Sequence, residues 1–243
     1  MPRAEFRLPK HVMTEPEVET VIAATDVSTP LGLRDRAIVE TLYATAIRRL
    51  ELSALSVYDV DHERKTVRIR QGKGDKERIV PIGERALAWI TRYLDVVRPR
   101  LAVADSGDAL FLSHLGERLG PHAVTERVRG IVKRSAIPKT GACHMFRHTC
   151  ATLMLERGAD VRYVQQLLGH AQLDTTAIYT HVSILKLLEV YAATHPAARI
   201  GHAPTRVKAR DEALARAEAA DLLTSLADEA DEDDAVANEA VET

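Results

Sequence analysis

The sequence predicts a mainly α-helical fold with a small antiparallel β-sheet. Two observations lead there. Apolar residues recur at helical spacing along most of the chain, between stop and start residues such as Gly158, Gly169 and Pro196. Alternation of period two is confined to residues 65–82, KTVRIRQGKGDKERIVPI, where Val67 and Ile69 alternate with Arg68 and Arg70.

The elements follow in order. Thr14-Glu-Pro-Glu17 has the form of a capping box, with Val18, Val21 and Ile22 at helical spacing behind it. A second helix is expected over 33–43 and a third over 48–55, the latter offering Leu50, Leu52 and Leu55 to the core. In the hairpin, Gly72-Lys-Gly-Asp75 makes the turn and Arg78-Ile-Val-Pro81 returns. Helices are expected at 84–97 and 121–135, with the apolar Ala-Leu-Phe-Leu of 109–112 closing the loop between them. Further helices are expected at 144–157, ended by Gly158, and at 161–168, ended by Gly169 at the C′ position. Another begins near Asp174-Thr-Thr176 and includes Tyr179, and an amphipathic one spans 183–193. Residues 207–226 are Ala-rich and helical in pattern, and the last stretch, ADEADEDDAVANEAVET, has the composition of a disordered segment.

Composition narrows the function classes. The 243 residues can form one large domain or two small ones. No run of 18 apolar residues is present, so no membrane-spanning helix is expected. The first residues, MPRAEFRLPKHVMTEPE, lack the apolar stretch of a signal peptide. The two cysteines, Cys143 and Cys150, are expected as free thiols in a reducing cytoplasm. The net charge of −2 conceals a division. Residues 1–210 hold 32 Lys and Arg against 23 Asp and Glu, a net of +9, whereas residues 211–243 hold one Arg against 12 acids, a net of −11. A basic body suits a polyanionic partner such as nucleic acid.

The densest chemistry is in HMFRHTCATLMLERG, residues 144–158. Cys143, His144, His148 and Cys150 could be read as a zinc set, since His144 and His148 are four residues apart. The stretch is not His-Glu-x-x-His, however, and an arginine between two ligands would be repelled by the metal, so no metal is expected. The other reading is a histidine and an arginine, three residues apart on one helical face, aimed at a phosphate.

Five stretches carry a resemblance: ATAIRRLELSAL (44–55), GKGDKERIVPI (72–82), HMFRHTCATLMLERGAD (144–160), VQQLLGHAQLDTTAIYTHVS (164–183) and the helix at 183–193. In this order they are similar to the catalytic domain of the tyrosine recombinase (phage integrase) family, of the XerC/XerD-like kind, over roughly residues 8–196. The resemblance implies a DNA breaking-rejoining fold, mostly helical with a small sheet at one edge. It implies a reaction with no metal and no cofactor, in which a tyrosine attacks a backbone phosphate, forms a 3′-phosphotyrosine and releases a 5′-hydroxyl. Implied catalytic residues are Arg48, Lys73, His144, Arg147, His170 and Tyr179, with Glu51 ordering the site. Tyr179 is the implied nucleophile, Lys73 the general acid, and the arginines and histidines the phosphate ligands. Arg48 is preferred to Arg49 because Thr-Ala-Ile-Arg matches the family's usual Thr-Gly-Leu-Arg. Ala46 replaces the glycine, and Leu50 replaces a residue that is usually small. Arg68, Arg70 and Lys76 are expected to face DNA. Tyr163 and Tyr191 are expected to pack in a core or interface, and His148 and His181 to be structural or DNA-facing.

The expected organisation is an N-terminal segment (1–13), the catalytic domain (14–196), and an Ala-rich, acidic and partly disordered tail (197–243). The N-terminal DNA clamp usual in the family is expected to be absent, since LPKHVMTEPEVE resembles the start of the catalytic domain. Double-stranded DNA is the implied partner. A homo-tetramer on DNA is implied, with or without a helper recombinase, in a cytoplasmic protein of mobile-element or chromosomal recombination. The helix at 183–193 could serve its own core or exchange with a neighbouring protomer. The acidic tail could compete with DNA for the basic body. Rival activities are a type IB topoisomerase and a catalytically deficient DNA-binding or partner protein.

Overall fold

The structure, a computed structural model, describes residues 12–70, 77–169, 184–197 and 218–227. The hairpin turn with Lys73 and Lys76, and the segment with His170, Tyr179 and His181, lie outside the described residues. The elements are α1 (Glu15–Ala23), α2 (Pro30–Thr45), α3 (Arg49–Ala54), β1 (Val60–Asp61), β2 (Thr66–Ile69), β3 (Arg78–Pro81), α4 (Glu84–Val96), α5 (Arg98–Leu101), α6 (Pro121–Arg134), α7 (Cys143–Glu156), α8 (Val161–Leu168) and α9 (Ile184–Thr194). A further helix covers 218–227. The described residues are thus mainly helical with one three-stranded antiparallel sheet, in the order β1-β2-β3.

Helix starts obey their caps. The Thr14 hydroxyl accepts from the Glu17 amide, and the Glu17 carboxylate returns to the Thr14 amide at 2.7 Å. α2 begins earlier than its apolar pattern, because Thr29 caps it and Pro30 occupies its first turn. Between α4 and α6, the short α5 was not foreseen; four residues are too few to show a period. β1 was missed for the same reason.

α2 is the central helix. It packs against α4 and α7, and its residues Ala37, Ile38, Val39 and Leu42 are fully buried. Each such large aliphatic side chain contributes roughly 1.5–3 kcal/mol on burial. Buried charge on α2 is paired: Glu40 receives Arg36 at 3.0 Å and Arg85 of α4 at 2.7 Å, and Arg85 reaches Glu19 of α1. Arg34, also buried, donates to the Leu112 carbonyl at 2.9 Å, which draws the 109–112 stretch into the core.

In the sheet, the pairs are Thr66 with Pro81, Val67 with Val80, Arg68 with Ile79, and Ile69 with Arg78. Arg78 therefore stands at the end of the described ladder, where the chain returns from the turn. α9 settles on its own chain: Leu187, Val190 and Tyr191 are buried, and the Tyr191 hydroxyl donates to the Ala44 carbonyl at 2.8 Å. On the helix at 218–227, Leu222 and Leu226 join the same core.

Candidate active site

The site is assembled where α2 ends, α3 begins and α8 ends. Ala46 caps α2 in the left-handed conformation, φ 52° and ψ 25°. For a residue with a Cβ this costs on the order of 1–2 kcal/mol. The family glycine would avoid that cost, yet the turn is made with alanine. It presents the Ala46 carbonyl to Arg147, whose Nη1 donates at 2.7 Å. Two residues on, Arg48 is the extended N-cap of α3, and the Glu51 carboxylate accepts its backbone N–H at 2.9 Å.

α3 corrects one expectation from sequence. Leu52 and Leu55 are buried, but Leu50 is 58% exposed and Arg49 is buried in its place. Arg49 and Leu52 are three residues apart on the inner face of a six-residue helix, and Leu50 falls on the outer face.

His144 and Arg147 lie on the first turns of α7, both buried. Arg147 Nη2 donates to the Leu168 carbonyl at 2.9 Å, and Arg48 Nη1 approaches the same oxygen at 3.4 Å. One carbonyl at the end of α8 thus gathers two guanidinium groups from distant parts of the sequence. Gly169, at φ 70°, ends α8 immediately before His170. Two guanidinium groups with fixed charge and forked donors, beside an imidazole, can meet negative charge developing on non-bridging phosphate oxygens.

Glu51 holds this corner together. Its oxygens accept Arg78 Nη1 and Nη2 at 2.7 and 2.9 Å, and Arg48 Nη1 lies 3.4 Å away. Burial pushes the Glu51 carboxyl up. The Arg78 hydrogen bonds and charge, with the Arg48 amide and Arg147, outweigh burial and hold it below the usual carboxylate value. The sequence reading did not single out Arg78. A signal was present: Val80 is a core residue and Ile79 faces out, so period two puts Arg78 on the inner face of β3.

Arg68 and Arg70 are half-exposed and paired with acids, Arg68 with Glu77 at 3.3 Å and Arg70 with the buried Asp59 at 2.6 Å. Two members of the cysteine–histidine set have partners on other elements. His148 Nε2 meets the Leu226 carbonyl at 2.6 Å, and Cys150 Sγ meets His195 Nε2 at 2.9 Å. Both cysteines are buried free thiols. Tyr191 is buried among its partners, and burial pushes its phenol well above the ordinary value.

Comparison with known proteins gives one consistent picture. Residues 11–185 match the phage integrase family. The chain is 51% identical over 197 residues to tyrosine recombinase XerC 2 of Ralstonia nicotianae, covering 81% of this chain and 56% of that protein. It is 44% identical over 198 residues to tyrosine recombinase XerD of Listeria monocytogenes, covering 81% of this chain and 66% of that one. The chain therefore spans between half and two thirds of the length of these relatives. Among solved structures, XerA recombinase superposes with a TM-score of 0.60 at 34% identity, covering 79% of this chain and 66% of that one. XerH recombinase, bound to its difH substrate before cleavage, superposes with a TM-score of 0.58 at 28% identity, covering 78% and 56%.

Proposed function

The chain belongs to the phage integrase family, and we propose that it is a site-specific recombinase that cleaves and rejoins DNA strands through Tyr179. The observation that carries this reading is the convergence of Arg48 and Arg147 on the Leu168 carbonyl, with His144 one turn before Arg147. Donors fixed before substrate arrives need no reorganisation as charge develops.

In this reading the scissile phosphate sits between Arg48 and Arg147, and His144 and His170 donate to its non-bridging oxygens. The Tyr179 phenol, with an ordinary pKa of roughly 10, gives its proton to solvent water, and its oxygen bonds to phosphorus. The bond from phosphorus to the 5′-oxygen breaks, and that oxygen takes a proton from Lys73. The 3′-phosphotyrosine keeps the bond energy, and attack by a partner strand's 5′-hydroxyl reverses the step. Arg68, Arg70 and Lys76 contact backbone phosphates; for Arg68 and Arg70 this means exchanging their acidic partners for DNA. The catalytic unit is residues 14–196, and residues 197–243 are an appended tail.

Double-stranded DNA is the partner in this reading, supported by XerH recombinase standing bound to its difH substrate, and the working form is a homo-tetramer on DNA. In this reading the chain acts on DNA in the cytoplasm. Among the described residues no helix is long and apolar enough to cross a membrane.

Nicked suicide duplexes drawn from the gene's flanks and nearby element ends test the reading. The expected result is a detergent-resistant protein–DNA band that Tyr179→Phe abolishes, and exchange between two sites in one plasmid. Relaxation of supercoils without exchange would favour a type IB topoisomerase. DNA binding without any covalent band would favour a binding or partner protein.

A further inference from the structure

We propose that Arg78 is a positioning residue of the cleavage site, a part-buried clamp on Glu51 that keeps the Arg48 guanidinium directed at the scissile phosphate. The inference rests on the recombinase reading above and adds to it a residue outside the expected catalytic set.

Glu51 lies three residues after Arg48 and is almost wholly buried. An ionised carboxylate in that position needs strong donors, and Arg48, one turn before it, is a cation within its reach. If Arg48 took the forked bond, its guanidinium would be turned inward and lost to DNA. Instead the fork comes from β3. Arg78 donates through both terminal nitrogens at 2.7 and 2.9 Å, whereas Arg48 Nη1 stays at 3.4 Å from the same carboxylate. A bidentate guanidinium–carboxylate pair is among the most directional contacts a protein can make. It satisfies the charge of Glu51 and leaves that carboxylate to hold the Arg48 backbone N–H.

The same guanidinium reaches a second part of the site. Arg78 Nε lies 3.4 Å from the Leu167 carbonyl, next to the Leu168 carbonyl that meets Arg48 and Arg147. A Cβ built on Gly169 would lie 2.8 Å from Arg78 Cζ, so the end of α8 is packed directly on the clamp. In sequence, Arg78 follows Lys73 by five residues, on the strand that returns from the turn. One side chain thus links β3, the start of α3 and the end of α8.

The test separates positioning from folding by changing the substrate. A methylphosphonate at the scissile position removes the negative charge that the arginines neutralise but leaves the leaving group unchanged. Arg78→Met and Arg78→Lys are compared with the parent chain on ordinary and methylphosphonate suicide duplexes in single turnovers, after thermal melts confirm folding. The expected result is a loss on the order of 100-fold on the ordinary duplex for Arg78→Met, with a much smaller loss on the methylphosphonate duplex. Arg78→Lys, which keeps the charge without the fork, should fall between. In the non-cleaving Tyr179→Phe background, Arg78→Met should also lose the preference for binding the charged duplex over the neutral one. Equal losses on both substrates, or an unchanged binding preference, would overturn the proposal. If the parent chain forms no covalent band, the recombinase reading fails, and the binding preference still decides the role of Arg78.

Discussion

Gly169→Ala is the smallest change that should disturb the whole cluster. Its φ of 70° is costly for a residue with a Cβ, on the order of 1–2 kcal/mol, and the new methyl would press on the Arg78 guanidinium. A melt should show that loss of stability, and cleavage should fall further than the melt alone predicts. A variant as stable and as active as the parent would contradict the packing described. At this scale the sequence was partly legible. Arg48, His144 and Arg147 stood in recognisable motifs, because phosphate chemistry restricts which residues can serve. Arg78 did not stand out. Its partner is 27 residues away, and its inward place shows only in the alternation of a four-residue strand. Leu50 was misplaced because the start of a short helix sets which face is inward.

At the scale of elements, α9 and its cap bring a buried histidine into the core. His195 Nδ1 accepts the Ala197 amide at 3.0 Å, so Nε2 carries the proton and faces Cys150. Burial, with Arg157 nearby, lowers the His195 pKa to about 3. The unfolded chain binds this proton near pH 6.5, so stability is full above that value and falls as pH drops from 6.5 toward 3. By pH 5 the loss should reach about 2 kcal/mol. Glu51, whose pKa is lowered, contributes its own loss only below about pH 4.5. Denaturant melts from pH 7 to 5 should show the slope in the parent chain and a flatter one in His195→Gln; identical slopes would remove His195 as the cause. Periodicity and caps predicted most helices and the β2–β3 hairpin. It could not tell whether α9 would pack in its own chain, because an apolar stripe suits a neighbour equally well. In the single chain Leu187, Val190 and Tyr191 are buried.

For the whole molecule, the C-terminal residues divide into two parts. The helix at 218–227 buries Leu222 and Leu226, and the Leu226 carbonyl meets His148, one turn after His144 on α7. Removing residues 218–243 should therefore destabilise the chain by roughly 1–3 kcal/mol, the leucine burial less the ordering cost. A melt unchanged by that deletion would mean the helix contributes nothing. Removing only residues 228–243 takes away eight acids and no base. It should tighten DNA binding at low salt, with the gain shrinking as salt rises; equal affinities would end the idea that the tail competes with DNA. The sequence showed the charge division directly, but not that part of this acidic region carries leucines into the core.

The most direct test of the central claim is to map the covalent bond. A suicide duplex is trapped on the protein, digested with nuclease and protease, and the modified peptide is sequenced by mass spectrometry. A nucleotide remnant on Tyr179 is the predicted result. A remnant on any other residue, or none while DNA remains bound, would contradict the assignment of Tyr179 and the mechanism built on it.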